Sequence, residues 1–93
     1  DKGPIKVVAR SMDLYTSDMP MILTQPQGKS RSGQAGENSL TWTSKYGSLV
    51  VTAFKTDTVS DGINEKGLAA HLLYLTGSEY AKSGSNTPKL SNT

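Results

Sequence analysis

Apolar positions along the chain fall into short runs of strand period, separated by polar, glycine-rich stretches. Ile5 to Arg10 is a β-branched run in which Val8 and Arg10 share one face and Val7 and Ala9 the other. Ser11 and Asp13 compete with regular backbone pairing, so this strand is expected to end or bulge there. Leu14 to Pro20 is irregular, and Met21 to Thr24 is a second short strand. Leu40 to Thr43 and Tyr46 to Lys55 carry the strongest β signal. Leu49, Val51 and Ala53 alternate with Val50, Thr52 and Phe54, so both faces are apolar and a sheet covered on both sides is expected. Ser60-Asp61-Gly62 and Asn64-Glu65-Lys66-Gly67 read as turns. Leu68 to Leu75 is long enough for a helix, but the tight turn before it favours a strand paired with 46–55. Asp1 to Pro4 reads as a turn, Gln25 to Ser39 as a polar loop, and 76–93 as a linker-like or frayed end.

Composition adds a size argument. With 93 residues, 34% of them hydrophobic, the chain has thin material for an independent core, as expected of one part of a larger domain. The net charge of +2 is spread over scattered lysines without interleaved aromatics, which argues against a nucleic-acid footprint. No apolar run is long enough to span a bilayer, and no membrane association is expected. The glycines of 25–39 lack the strand-to-helix setting and Lys-Ser/Thr ending of a phosphate loop. His71 has no ligand-spaced partner, so no metal is expected and His71 reads as structural.

The candidate chemistry centres on Arg10 and Asp13, where an apolar run ends. On an uninterrupted strand they would face opposite sides, and they converge only if the backbone bends. A surface ion pair is the plain alternative. Tyr74 is either a half-buried aromatic or a pocket residue. Met12 and Leu14, with Tyr15, Met21 and Leu23, suit an apolar pocket or ordinary core packing equally well.

Three segments, Val8-Ala9-Arg10-Ser11-Met12-Asp13, Trp42-Thr43-Ser44-Lys45-Tyr46-Gly47-Ser48 and Asp61-Gly62-Ile63-Asn64-Glu65-Lys66-Gly67-Leu68, together resemble the N-terminal third of the choloylglycine hydrolase family. This is the penicillin V acylase and conjugated bile acid hydrolase group of N-terminal nucleophile hydrolases. Arg-x-x-Asp alone is a weak signal, whereas the three segments in order are specific. The Trp42 segment most resembles acylases of Gram-negative bacteria, which favours a periplasmic location over a cytoplasmic one.

The resemblance implies an α+β protein with a four-layer αββα fold when intact. Residues 1–93 would be the N-terminal, incomplete part of one domain and mostly sheet strands. It further implies a cysteine at the mature N-terminus, one short strand upstream of Asp1, whose thiol attacks a linear amide. Its own α-amine is the base, which suits a group titrating near ~8. Arg10 matches the active-site arginine that meets this nucleophile, and Asp13 the aspartate that holds the α-amine. Tyr74 lies where acylase-like members carry an aromatic and bile-salt hydrolases an asparagine, at the oxyanion site. Leu14 departs from the aromatic often found there in acylases.

The expected activity is acyl-amide hydrolysis through an acyl-enzyme, with penicillin V as the leading substrate and a conjugated bile salt as the alternative. The chain alone is expected to be inactive, and no cofactor is implied. Its partners would be the small-molecule amide, the rest of its own domain, and further copies in a homo-oligomer, a tetramer. A non-catalytic module that lost the nucleophile is the alternative of a different class, and an unrelated β-rich domain is a third.

Overall fold

The computed structural model describes residues 4–80, 82, 84 and 86–90. Its elements are all strands: β1 (Met21–Gln25), β2 (Ser30–Ser32), β3 (Thr41–Thr43), β4 (Ser48–Thr52), β5 (Val59–Asn64) and β6 (Ala69–His71). Among the described residues no helix is long and apolar enough to cross a membrane. Strands β1, β4, β5 and β6 form an antiparallel sheet in the order β1-β4-β5-β6, and β2 and β3 form a separate hairpin.

Register explains which residues meet. Leu23, Val50, Gly62 and Ala70 are successive Cα partners across the four strands. Directly opposed residues share a face, so this row forms one side of the sheet, with Val50 buried at its centre. A Cβ on Gly62 would lie 3.2 Å from Val50 Cγ1, so the bare glycine leaves room for that valine. The next row, Ile22, Val51, Asp61 and His71, lies on the opposite face. There the polar pair Asp61 and His71 occupies neighbouring strands.

A register shift between Val51 and Thr52 breaks the β4–β5 ladder, because Val51 pairs with Asp61 and Thr52 with Val59. The extra residue is Ser60. It is buried, its Oγ donates to the Val51 carbonyl at 3.2 Å, and its own carbonyl accepts from Leu72 N–H at 2.7 Å. This is a bulge in which the Ser60 hydroxyl and carbonyl are both hydrogen-bonded, while the Thr52 hydroxyl beside it is buried without a partner among the described residues.

Between β5 and β6, Asn64 N–H donates to the Leu68 carbonyl at 3.0 Å and closes a three-residue loop, 65–67, of the kind that ends in a left-handed residue. Gly67 N–H donates to the Asn64 carbonyl, and Asn64 Oδ1 accepts from Lys66 and Leu68 N–H, both at 3.0 Å. Gly67 has φ +82°, with open space around its α-carbon, so a side chain would meet conformational strain and no clash. Gly67→Ala is therefore expected to cost about 1 kcal/mol, read as a lowered denaturant midpoint with unchanged slope. The same loop touches the start of β4. Glu65 N–H donates to the Gly47 carbonyl at 3.0 Å, and Gly47 N–H donates to Glu65 Oε1 at 3.1 Å.

Several expectations need correction. Ile5 to Arg10 is not a strand, because no neighbour among the described residues supplies the ladder hydrogen bonds that a strand requires. Ser60-Asp61-Gly62 is not a turn but the interior of β5. The 68–75 strand shrinks to Ala69–His71, and it pairs with β5 rather than with 46–55. The 25–39 loop contains β2. The sheet is not covered on both sides within this chain, since Leu49 on the Asp61 face is 46% exposed. The Asp1–Pro4 turn lies largely outside the described residues, as do positions 81, 83, 85 and 91–93 of the 76–93 segment. Within that segment Lys89 forms a parallel bridge with Ser39, and its carbonyl accepts from Leu40 N–H at 2.7 Å. A cleft of about 360 Å³, with Trp42, Val59, Leu72 and Leu90 among its lining, separates the hairpin from the sheet.

Candidate active site

Asp61 is held in a central strand with partners on both sides, so its position is set by two ladders. Arg10 arrives from the irregular 4–20 segment and lays its guanidinium along the Asp61 carboxylate. Nε donates to Oδ1 at 2.6 Å and Nη2 to Oδ2 at 2.7 Å. This two-point geometry fixes the plane of the guanidinium as well as its distance. The side chains of Arg10 and Asp61 are only 20% and 22% exposed.

His71 completes the group. Its Nδ1 lies 2.8 Å from Asp61 Oδ1. An ionised carboxylate can only accept, so Nδ1 carries the proton and donates. The Arg10 guanidinium holds the Asp61 carboxyl well below the usual carboxylate range. Partial burial opposes that shift, while His71 and Ser60 reinforce it. Arg10 is raised in turn, chiefly by its hydrogen bonds to Asp61.

The sign of the pH effect follows. A depressed carboxyl stabilises the fold above its unfolded pKa of about 3.9 and loses that contribution as pH falls towards the folded value. Denaturant melts of the complete protein and of Asp61→Asn should therefore differ most at pH 5 to 7. The gap should narrow progressively below about pH 4.

The other residues singled out in the sequence are more loosely placed. Asp13 is exposed, and its carboxylate accepts from Ser11 Oγ at 3.2 Å. Arg10 and Asp13 are thus engaged with different partners, and among the described residues no ion pair joins them. Met12 and Leu14 are exposed, and Tyr74, three residues beyond β6, is 92% exposed. Among the described residues no group of three or more His, Cys, Asp or Glu side chains is arranged to hold a metal.

Sequence reasoning missed the roles of Asp61 and His71. The Asp-Gly dipeptide imitated a turn, and His71 showed no acidic partner at ligand spacing in the sequence, so its bond to Asp61 was not foreseen. A usable signal was present: positions 61 and 71 are equidistant from Lys66 at the centre of the predicted turn, and a hairpin folded there sets them opposite each other.

Comparison with known proteins gives a consistent set of similarities. The sequence model for linear amide C–N hydrolases, choloylglycine hydrolase family, matches residues 1–91. The chain is 48% identical over 80 residues to a protein from Pectobacterium atrosepticum described as penicillin V acylase, covering 82% of this chain and 21% of that protein. It is also similar to the solved structure of penicillin V acylase from Agrobacterium tumefaciens, with a TM-score of 0.76 and 43% identity over 87% of this chain and 25% of the other. The chain thus spans about a fifth to a quarter of the length of these relatives. Its six strands fit the sheet-rich part of the N-terminal nucleophile hydrolase fold, as the sequence led one to expect.

Proposed function

Because the chain belongs to the linear amide C–N hydrolases of the choloylglycine hydrolase family, we propose that it is the N-terminal part of one hydrolase domain that cleaves penicillin V through a covalent acyl-enzyme. The observation that carries this reading is the 48% identity to a relative described as penicillin V acylase. The nucleophile is a cysteine thiol at the mature N-terminus, upstream of Asp1. Its α-amine takes the thiol proton, and the thiolate attacks the amide carbon. The amine of the cleaved bond then leaves with a proton, and water releases the acyl group.

In this scheme the Arg10 guanidinium faces the nucleophile, and Asp13 holds the α-amine. Tyr74 flanks the developing oxyanion, and Met12 and Leu14 line the acyl pocket. Arg10 is the best supported of these, since its plane is fixed by two hydrogen bonds to the sheet. The exposed side chains Ile5, Val7, Leu73 and Leu75 support an incomplete domain, because large apolar side chains this open to water are candidates for cover by the rest of the domain. The rest of the domain would cover them, and the 93 residues alone would be inactive. Assembly into a homotetramer belongs to the same reading.

Turnover of penicillin V and of a taurine-conjugated bile salt by the complete protein separates the readings. Preferred hydrolysis of penicillin V supports the proposal, and Tyr74 favours that outcome over asparagine-bearing bile-salt hydrolysis. Preference for the bile salt transfers the assignment to the runner-up. Turnover of neither leaves a module without catalysis.

A further inference from the structure

We propose that Asp61 is a positioning residue for catalysis, which aims the Arg10 guanidinium at the reaction centre and is itself steadied by His71. The inference rests on the reading of Arg10 as the active-site arginine.

The argument begins with what can hold Arg10 in place. Its own segment has no strand pairing, so the backbone alone gives the long side chain little direction. A long Arg side chain has many rotamers open to it, so a defined guanidinium orientation needs an anchor. That anchor is on a central strand. Asp61 is paired to Val51 on one side and to His71 on the other. Its two oxygens take Nε and Nη2 of Arg10, which leaves Nη1 and its two donors on the edge turned away from Asp61. His71 holds Oδ1 from the neighbouring strand at 2.8 Å. The carboxylate is therefore fixed from two directions, and the free edge of the guanidinium has one direction in which to point.

The bulge at Ser60 contributes to the aim. It sits immediately before Asp61 and is anchored by Ser60 Oγ on the Val51 carbonyl and by Leu72 N–H on the Ser60 carbonyl. Such a bulge bends the strand locally and redirects the side chain that follows it. An ion pair serving stability alone would not need this arrangement of fork, cross-strand histidine and anchored bulge.

The test is a double-mutant cycle on the complete protein, read as kcat and KM for penicillin V well below the melting temperature. Asp61→Asn retains shape and is expected to lower kcat about 100-fold, the usual effect of a misplaced catalytic group, with KM changed less than three-fold. Combined with Arg10→Ala it should add almost nothing to the loss from Arg10→Ala alone, because Asp61 acts through Arg10. His71→Ala leaves the Arg10–Asp61 pair in place and serves if Asp61→Asn does not fold. It is expected to lower kcat several-fold.

Losses from Arg10→Ala and Asp61→Asn that multiply would overturn the inference, since a separate structural contribution behaves that way. So would full kcat in Asp61→Asn, or full kcat in His71→Ala. Full activity in Arg10→Ala would instead remove the active-site reading of Arg10, on which this one stands.

Discussion

Replacing Arg10 with alanine in the complete protein is expected to lower kcat/KM for penicillin V by about 100- to 1,000-fold, the range seen when a preorganised charge or donor at a reacting centre is removed. The structural premise is the fixed guanidinium plane, set by contacts of 2.6 and 2.7 Å to Asp61. Arg10→Lys separates charge from geometry. A lysine ammonium keeps the positive charge but cannot reproduce the fork, so it should recover only a small part of the activity. The fold should persist in both variants, because Asp61 keeps its strand pairing and its hydrogen bond from His71. Activity within three-fold of the parent in Arg10→Ala would return the pair to a structural role.

Val50→Asp is expected to abolish folding of the domain or to lower its stability by at least about 3 kcal/mol. Val50 is 7% exposed, at the centre of the row formed by Leu23, Gly62 and Ala70. An aspartate there would place a carboxylate among apolar neighbours with no partner, one of the few single changes that costs this much. Val50→Ala is the matched control. It removes two methyl groups without introducing charge and should cost about 2 kcal/mol. Soluble yield and the denaturant midpoint read both effects. A Val50→Asp protein that melts within a few degrees of the parent would show that this face is open to water in the assembled domain.

How much of this was legible in the sequence varies from residue to residue. The β-rich character was readable because 49–54 is a short apolar and β-branched run with both faces apolar, and β4 lies there. The turn at Asn64–Gly67 was readable because Asn and Gly meet its conformational needs directly. Asp61 was not. Asp and Gly are rare inside strands, yet here Gly62 makes room for Val50 and Asp61 meets Arg10 across 51 positions of sequence. Pairing at that separation leaves no local pattern.

The pairing order was hidden for the same reason. Residues 46–55 and 68–75 are both apolar, but β5 inserts between them once 59–64 is read as a strand. The segment 5–10 shows the converse. Its side chains suit a strand, but a strand also needs a neighbour, and propensity does not supply one.

The central claim is that Arg10 serves a chain-terminal cysteine that carries the acyl group. Intact-mass and peptide mass spectrometry of the complete protein, quenched in acid during turnover of penicillin V, tests it most directly. The predicted result is a phenoxyacetyl adduct on an N-terminal cysteine, present in the parent protein and greatly reduced in Arg10→Ala. Turnover with no adduct, or an adduct on any other residue, would contradict the account.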